Sequence, residues 1–84
     1  MTEHLQEYNL TKEQELNAQA ASKETLEQKM AFEAYYKLGD ERSLQKLANV
    51  TRRSTQWCAK YSSLNRWTAR IKEREKYSAE FQLL

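Results

Sequence analysis

Proline is absent from this chain, and glycine, cysteine and histidine occur once each. Without glycine- and proline-bearing turns, a sheet of tight hairpins is excluded and helices are favoured. The lone Cys58 closes no internal disulfide and has no second cysteine or histidine beside it for a zinc site. It is read as a small buried hydrophobe in a reducing, cytoplasmic setting. A single glycine cannot furnish a Gly-rich phosphate loop. The one histidine, His4, lies in a polar stretch, residues 1–10, that is expected to be mobile, and it is read as an incidental polar residue. No apolar run approaches the ~18 residues that cross a bilayer, and the N-terminus carries no signal-peptide pattern. These absences leave no convergent acid, base or nucleophile. The chain is read as non-enzymatic, with no cofactor, no metal and no membrane partner.

What remains is 84 residues, 39% hydrophobic and 31% charged, enough for one small core. A domain of this size buries only about 60% of its unfolded surface, so the core must be well made. Two Trp, five Tyr and two Phe supply much of it. Net charge is +2, unevenly spread: through Leu38, four basic and seven acidic residues give −3, and from Gly39 onward ten and five give +5. A nucleic-acid surface would need its positive excess in that second half.

The stretch from Arg42 to Arg70 organises the chain. Leu44, Leu47 and Ala48 share one face of a short helix, Val50 and Thr51 break the pattern, and a second helix carries Trp57, Tyr61 and Leu64. A short apolar helix, a tight turn and a helix opening with basic and amide side chains is the layout of a helix-turn-helix DNA reader. Ser43 is expected to cap the first helix, Asn49 to take the left-handed position at its end, and Thr51 or Arg52 to start the second. Around this unit, Thr11 and Gln14 form a capping box before a thin apolar stripe. Ser22 is expected to cap a long supporting helix, Lys23 to Leu38, whose apolar face repeats at Leu26, Met30, Ala34 and Leu38, flanked by Ala31, Phe32 and Tyr35. Gly39 ends it. Ser62 or Ser63 is expected to break the chain ahead of a last helix with Trp67 and Ile71 inward. The expected fold is all-α, a small bundle of four to five helices containing a helix-turn-helix. Residues 1–21 form a mobile or weakly helical segment, 22–77 the DNA-binding domain, and 78–84 a tail ending on Phe81, Leu83 and Leu84 that leads toward an oligomerisation region or a partner.

The binding surface is placed on Thr51, Arg52, Arg53, Ser54, Thr55, Gln56 and Lys60, with Arg42, Lys46, Arg66 and Arg70 as phosphate contacts. Arg matches guanine, Gln matches adenine, and Ser or Thr reaches phosphate. The competing reading is a solvated charged face. Trp57 and Trp67 could stack on single-stranded bases, but aromatics at helical spacing are read as core.

The run AFEAYYKLGDERSLQKLA, followed by a turn and KYSSLNRWTARI, resembles the N-terminal helix-turn-helix domain of small terminase subunits of tailed bacteriophages. The likeness rests on Phe32, Tyr35, Leu38 and Gly39, on Arg42, Ser43, Leu44, Leu47 and Ala48, and on Tyr61, Ser62, Ser63, Trp67 and Arg70. It covers about residues 26 to 72. That family usually has Gly in the turn, where this chain offers Asn49 or Arg52. The resemblance implies recognition of viral double-stranded DNA for genome packaging, assembly as a homo-oligomer, presentation of DNA to the large terminase subunit, and a place in the host-cell cytoplasm. The alternatives are a phage or mobile-element transcription regulator and a protein–protein interaction module.

Overall fold

The computed structural model describes residues 10–82, with side chains through Ala79. The expectations for residues 1–9, His4 among them, and for Leu83 and Leu84 lie outside the described residues, as does the Phe81 side chain. Five α-helices and one 3₁₀ turn follow one another: α1 Lys12–Lys23, α2 Leu26–Lys37, the turn Gly39–Glu41, α3 Leu44–Thr51, α4 Thr55–Leu64 and α5 Trp67–Gln82. The described residues contain no strand, and no helix among them is long and apolar enough to cross a membrane.

The first two helices begin with the same device. Thr11 accepts from the Gln14 N–H at 3.1 Å while Gln14 Oε1 accepts from the Thr11 N–H at 2.9 Å. Thr25 and Gln28 repeat this reciprocal pair at 3.2 and 3.3 Å. Two otherwise orphaned donors are satisfied each time. This second box corrects the expected Ser22 cap and the continuous helix from Lys23. Ser22 lies inside α1 and donates to the Gln19 carbonyl, and three residues beyond it stands Thr25 rather than Glu or Gln. The chain breaks instead at Glu24, whose backbone is extended (φ −69°, ψ 140°).

Further along, Gly39 takes φ +64° and ends α2, as expected, and Ser43 caps α3 by accepting from the Lys46 N–H. Three other boundaries move. Asn49 is inside α3, and the left-handed residue is Arg52 (φ 60°, ψ 28°). Thr51 carries the helix that far: its hydroxyl donates to the Leu47 carbonyl at 2.8 Å, closing the last turn. Ser54 then caps α4 by accepting from the Trp57 N–H, so α4 starts at Thr55 and not at Thr51 or Arg52. Ser62 and Ser63 lie within α4; the break comes at Asn65 and Arg66, where Arg66 turns left-handed (φ 55°). α5 runs through Ser78, where the C-terminal tail was expected to begin.

Ala31, Phe32, Leu47, Ala48, Cys58, Trp67 and Ile71 form the core, with Leu47, Cys58 and Trp67 fully buried. The α2 face that faces inward is the expected one in part: Ala34 and Leu38 pack against the core, but the first half of that row does not. Leu26 is 74% and Met30 65% exposed, while Ala31 and Phe32 are buried and Tyr35 packs beside them. The aromatic row wins because each ring buries ~150–250 Å². Both rings meet Trp67, with centroids 6.0 Å (Phe32) and 5.9 Å (Tyr35) apart. Leu64, expected to join the α4 core face, is 63% exposed at the helix end.

One buried polar residue is Glu24. Its side chain is fully buried and accepts from the Trp67 indole Nε1 at 2.6 Å and from Arg70 Nη1 and Nη2 at 2.8 and 3.1 Å. Arg70 also donates to the Asn65 carbonyl, and Asn65 Nδ2 to Gln28 Oε1, tying this cluster to the α2 capping box. Glu24→Ala leaves Arg70 and the indole N–H without their acceptor. It is expected to lower the unfolding free energy by about 3–5 kcal/mol in urea titration, and Glu24→Gln, which keeps an acceptor, by distinctly less.

Candidate nucleic-acid interface

The expected site centres on α3, the three-residue turn Arg52–Arg53–Ser54, and α4. One side of α4 is anchored: Cys58 is fully buried, and Trp57 and Tyr61 are half-buried against the core, their rings 5.0 Å apart. The other side carries Thr55, Gln56, Ala59, Lys60 and Ser63, all exposed. Gln56, Ala59, Lys60 and Ser63 follow the helical spacing i, i+3, i+4, i+7 and form one outward stripe. Ala59 and Ser63 were absent from the expected set; the spacing from Gln56 and Lys60 was the signal that includes them. Two of the expected residues also serve the local backbone. Ser54 is the α4 cap, and the Thr51 hydroxyl closes α3.

From Arg42 to Lys72 the chain holds eight basic residues and no acidic one. The fold treats these cations unequally. Arg42 is half-buried; its Nε donates to the Tyr35 carbonyl and its Nη2 to the Tyr36 carbonyl, both at 2.9 Å, with the guanidinium over both rings. It thus caps the open carbonyls at the end of α2. Arg66 donates through Nε to Asn17 Oδ1 at 2.8 Å and through Nη2 to Glu13 Oε1 at 2.7 Å. Arg70 belongs to the buried Glu24 cluster and lies over the Phe32 ring at 4.0 Å. These three of the four expected phosphate contacts are engaged inside the domain. Lys46 makes an open, exposed pair with Glu41 at 3.5 Å.

In the turn, Arg53 pairs with Glu27 of α2 and lies over the Trp57 ring at 4.9 Å, so it is turned toward α2. Arg52 is exposed, with no ion-pair or hydrogen-bond partner for its guanidinium among the described residues. Lys60 is exposed, its ammonium 5.4 Å from the Tyr61 ring centroid. Outside the site, Arg74 makes a two-point pair with Glu33 at 3.0 and 2.8 Å, and that hydrogen bond raises the already high pKa of the guanidinium.

Beside the turn lies a groove of about 380 Å³ between α2 and the α3–α4 corner. It is lined by Met30, Ala34, Val50 and Trp57, with Glu27 and Arg53 at its edge. The outward stripe of α4 therefore offers amide, hydroxyl and ammonium groups with no carboxylate among them. Such a surface suits an anionic partner that presents acceptors.

The internal role of Arg42 is testable apart from any ligand. Arg42→Ala removes two charge-assisted bonds to carbonyls and is expected to cost about 1.5–3 kcal/mol of stability in thermal or urea unfolding, whereas Lys46→Ala, which opens an exposed pair, should cost under ~1 kcal/mol.

No family model, curated protein or solved structure matches this chain.

Proposed function

We propose that the chain is a non-enzymatic double-stranded DNA-binding domain in which α3, the Arg52–Ser54 turn and α4 act as a helix-turn-helix, with α4 as the reading helix. The observation that carries this reading is the outward stripe of α4, rich in donors and free of carboxylates. It follows a turn with two arginines and is fixed from below by buried Cys58 and half-buried Trp57 and Tyr61. The open N–H groups at the start of α4 add positive potential beside that turn, where a phosphate would approach. An α-helix fits the major groove, where Gln56 suits an adenine edge and Lys60 a guanine edge or phosphate. Within this function, the resemblance to small terminase subunits favours recognition of viral DNA for packaging. A homo-oligomer would raise the affinity of a weak single domain by effective concentration, and the large terminase subunit would receive the bound DNA. A transcription regulator would use the same surface, and footprinting separates the two: a packaging protein protects a packaging-initiation site, a regulator a promoter.

The Met30–Ala34–Val50–Trp57 groove, with exposed Leu26 next to it on α2, favours a second reading: a protein–protein module. Fluorescence anisotropy with a duplex of about 30 base pairs, repeated across salt concentrations, decides between the two. Few cations remain open on the α4 side, so about three phosphate contacts are expected, with a log–log slope near −3. Absence of binding even at low salt transfers the function to the groove.

Within a duplex-binding chain the two readers should behave differently. Gln56→Ala is expected to relax discrimination among duplex sequences by about 1–3 kcal/mol at the base it meets. Lys60→Ala, if the ammonium meets phosphate, weakens binding to all sequences alike; loss confined to one sequence would make Lys60 a base reader.

A further inference from the structure

Two non-glycine residues hold left-handed backbone in the described chain, Arg52 (φ 60°) and Arg66 (φ 55°). A Cβ is strained in that region, which is why glycine, and next to it asparagine, usually ends a helix there. The two arginines differ in what their side chains do. Arg66 reaches Asn17 and Glu13 and fastens α1 to the start of α5, so its side chain has work within the fold. Arg52 projects into solvent with no ion-pair or hydrogen-bond partner among the described residues. Glycine at position 52 would suit the end of α3 better and lose no such contact.

We infer that Arg52 is a phosphate-backbone contact that positions α4 on the duplex without reading bases, an inference that rests on the DNA-binding function proposed above. Its place supports phosphate over base. Arg52 belongs to the turn, two residues ahead of the Ser54 cap, and lies off the Gln56–Ala59–Lys60–Ser63 stripe that would face base edges. It neighbours the open N–H groups of the first turn of α4, which favour the same anion. A guanidinium grips two phosphate oxygens at once, and such contacts set the register of a protein on DNA without carrying sequence information. Arg53 cannot take this role from where it stands, since Glu27 and the Trp57 ring hold it on the α2 side.

The test pairs two readouts on the full chain: thermal unfolding, and anisotropy against several duplex sequences across salt. Arg52→Gly is expected to raise Tm by about 2–5 °C as the left-handed strain is relieved. The same variant should weaken every duplex by a common factor, roughly eightfold at ~0.1 M salt, with a slope shallower by about 0.9. Arg52→Lys should keep most of the salt slope. Unchanged affinity and slope in Arg52→Gly, while the unaltered chain binds, overturns the inference and leaves the DNA reading standing. So does a loss confined to one sequence, which would make Arg52 a base reader, or a fall in Tm, which would give its side chain a task in the fold. If the unaltered chain binds no duplex at low salt, the DNA reading itself is removed and the inference goes with it.

Discussion

A carboxylate with no exposed surface has to be matched atom for atom, and Glu24 sets the terms for this fold. Burying it unpaired would cost far more than so small a domain has in reserve. Its oxygens therefore fix the Trp67 indole N–H and both terminal nitrogens of Arg70. Those two side chains are where the aromatic core converges, since Trp67 faces Phe32 and Tyr35 and Arg70 lies over Phe32. The corner between α1 and α2 is thereby locked to the first turns of α5. On that frame α3 and α4 pack through Leu47 and Cys58, with their other faces open. The placement of α4 thus depends on an ion pair that meets it at its C-terminal end, where Arg70 donates to the Asn65 carbonyl.

The same logic changes the meaning of the charge asymmetry. The acidic first half and basic second half look like a domain prepared for a polyanion. In the structure Glu13 pairs with Arg66, Glu24 with Arg70, Glu27 with Arg53 and Glu33 with Arg74, each joining the first half to the second. Much of the apparent basic excess therefore holds the chain together. The pairs are not equivalent: those with well-exposed partners contribute little, while Glu24–Arg70 is desolvated and hard to break. α1 shows the polar style of this assembly most clearly. Its one buried residue is Asn17, which donates to Glu73 and accepts from Arg66, and Gln14 reaches the Tyr77 hydroxyl.

This explains which features were legible in the sequence. Helical class follows from composition and apolar spacing, while the Thr11 box, the Gly39 stop and the Ser43 cap are local, each written within four residues; each stands where it was expected. The second capping box was equally local, Thr25 to Gln28, and was obscured by Ser22, a good cap residue with the wrong residue three positions on. The Arg52 turn was harder, because a strained arginine replaces the expected glycine or asparagine. The partners of Arg66 and Arg70 were out of reach in principle. Glu13 and Glu24 lie 53 and 46 residues away, and nothing in composition or periodicity says which carboxylate a guanidinium will find. Exposed Leu26 and Met30 misled for a related reason: helical spacing marks one broad apolar face on α2, and only the arrival of Trp67 from α5 decides that its Ala31–Phe32–Tyr35 side is the part buried.

Once the internally paired arginines are set aside, Arg52 and Lys60 are the cations left open on the turn and α4, among uncharged Thr55, Gln56 and Ser63. Phosphate neutralisation supplies most of the affinity of DNA-binding domains and almost none of their selectivity. A surface with two open cations and several amide or hydroxyl groups is therefore weighted toward selection. On the proposed function, one copy would bind DNA weakly and discriminate mainly through Gln56 and its neighbours on the stripe. Strength would come from several copies on one duplex, where each further contact is intramolecular. The internal ion pairs push in that direction: each arginine engaged by α1 or α2 would leave one fewer charge to hold the phosphate backbone.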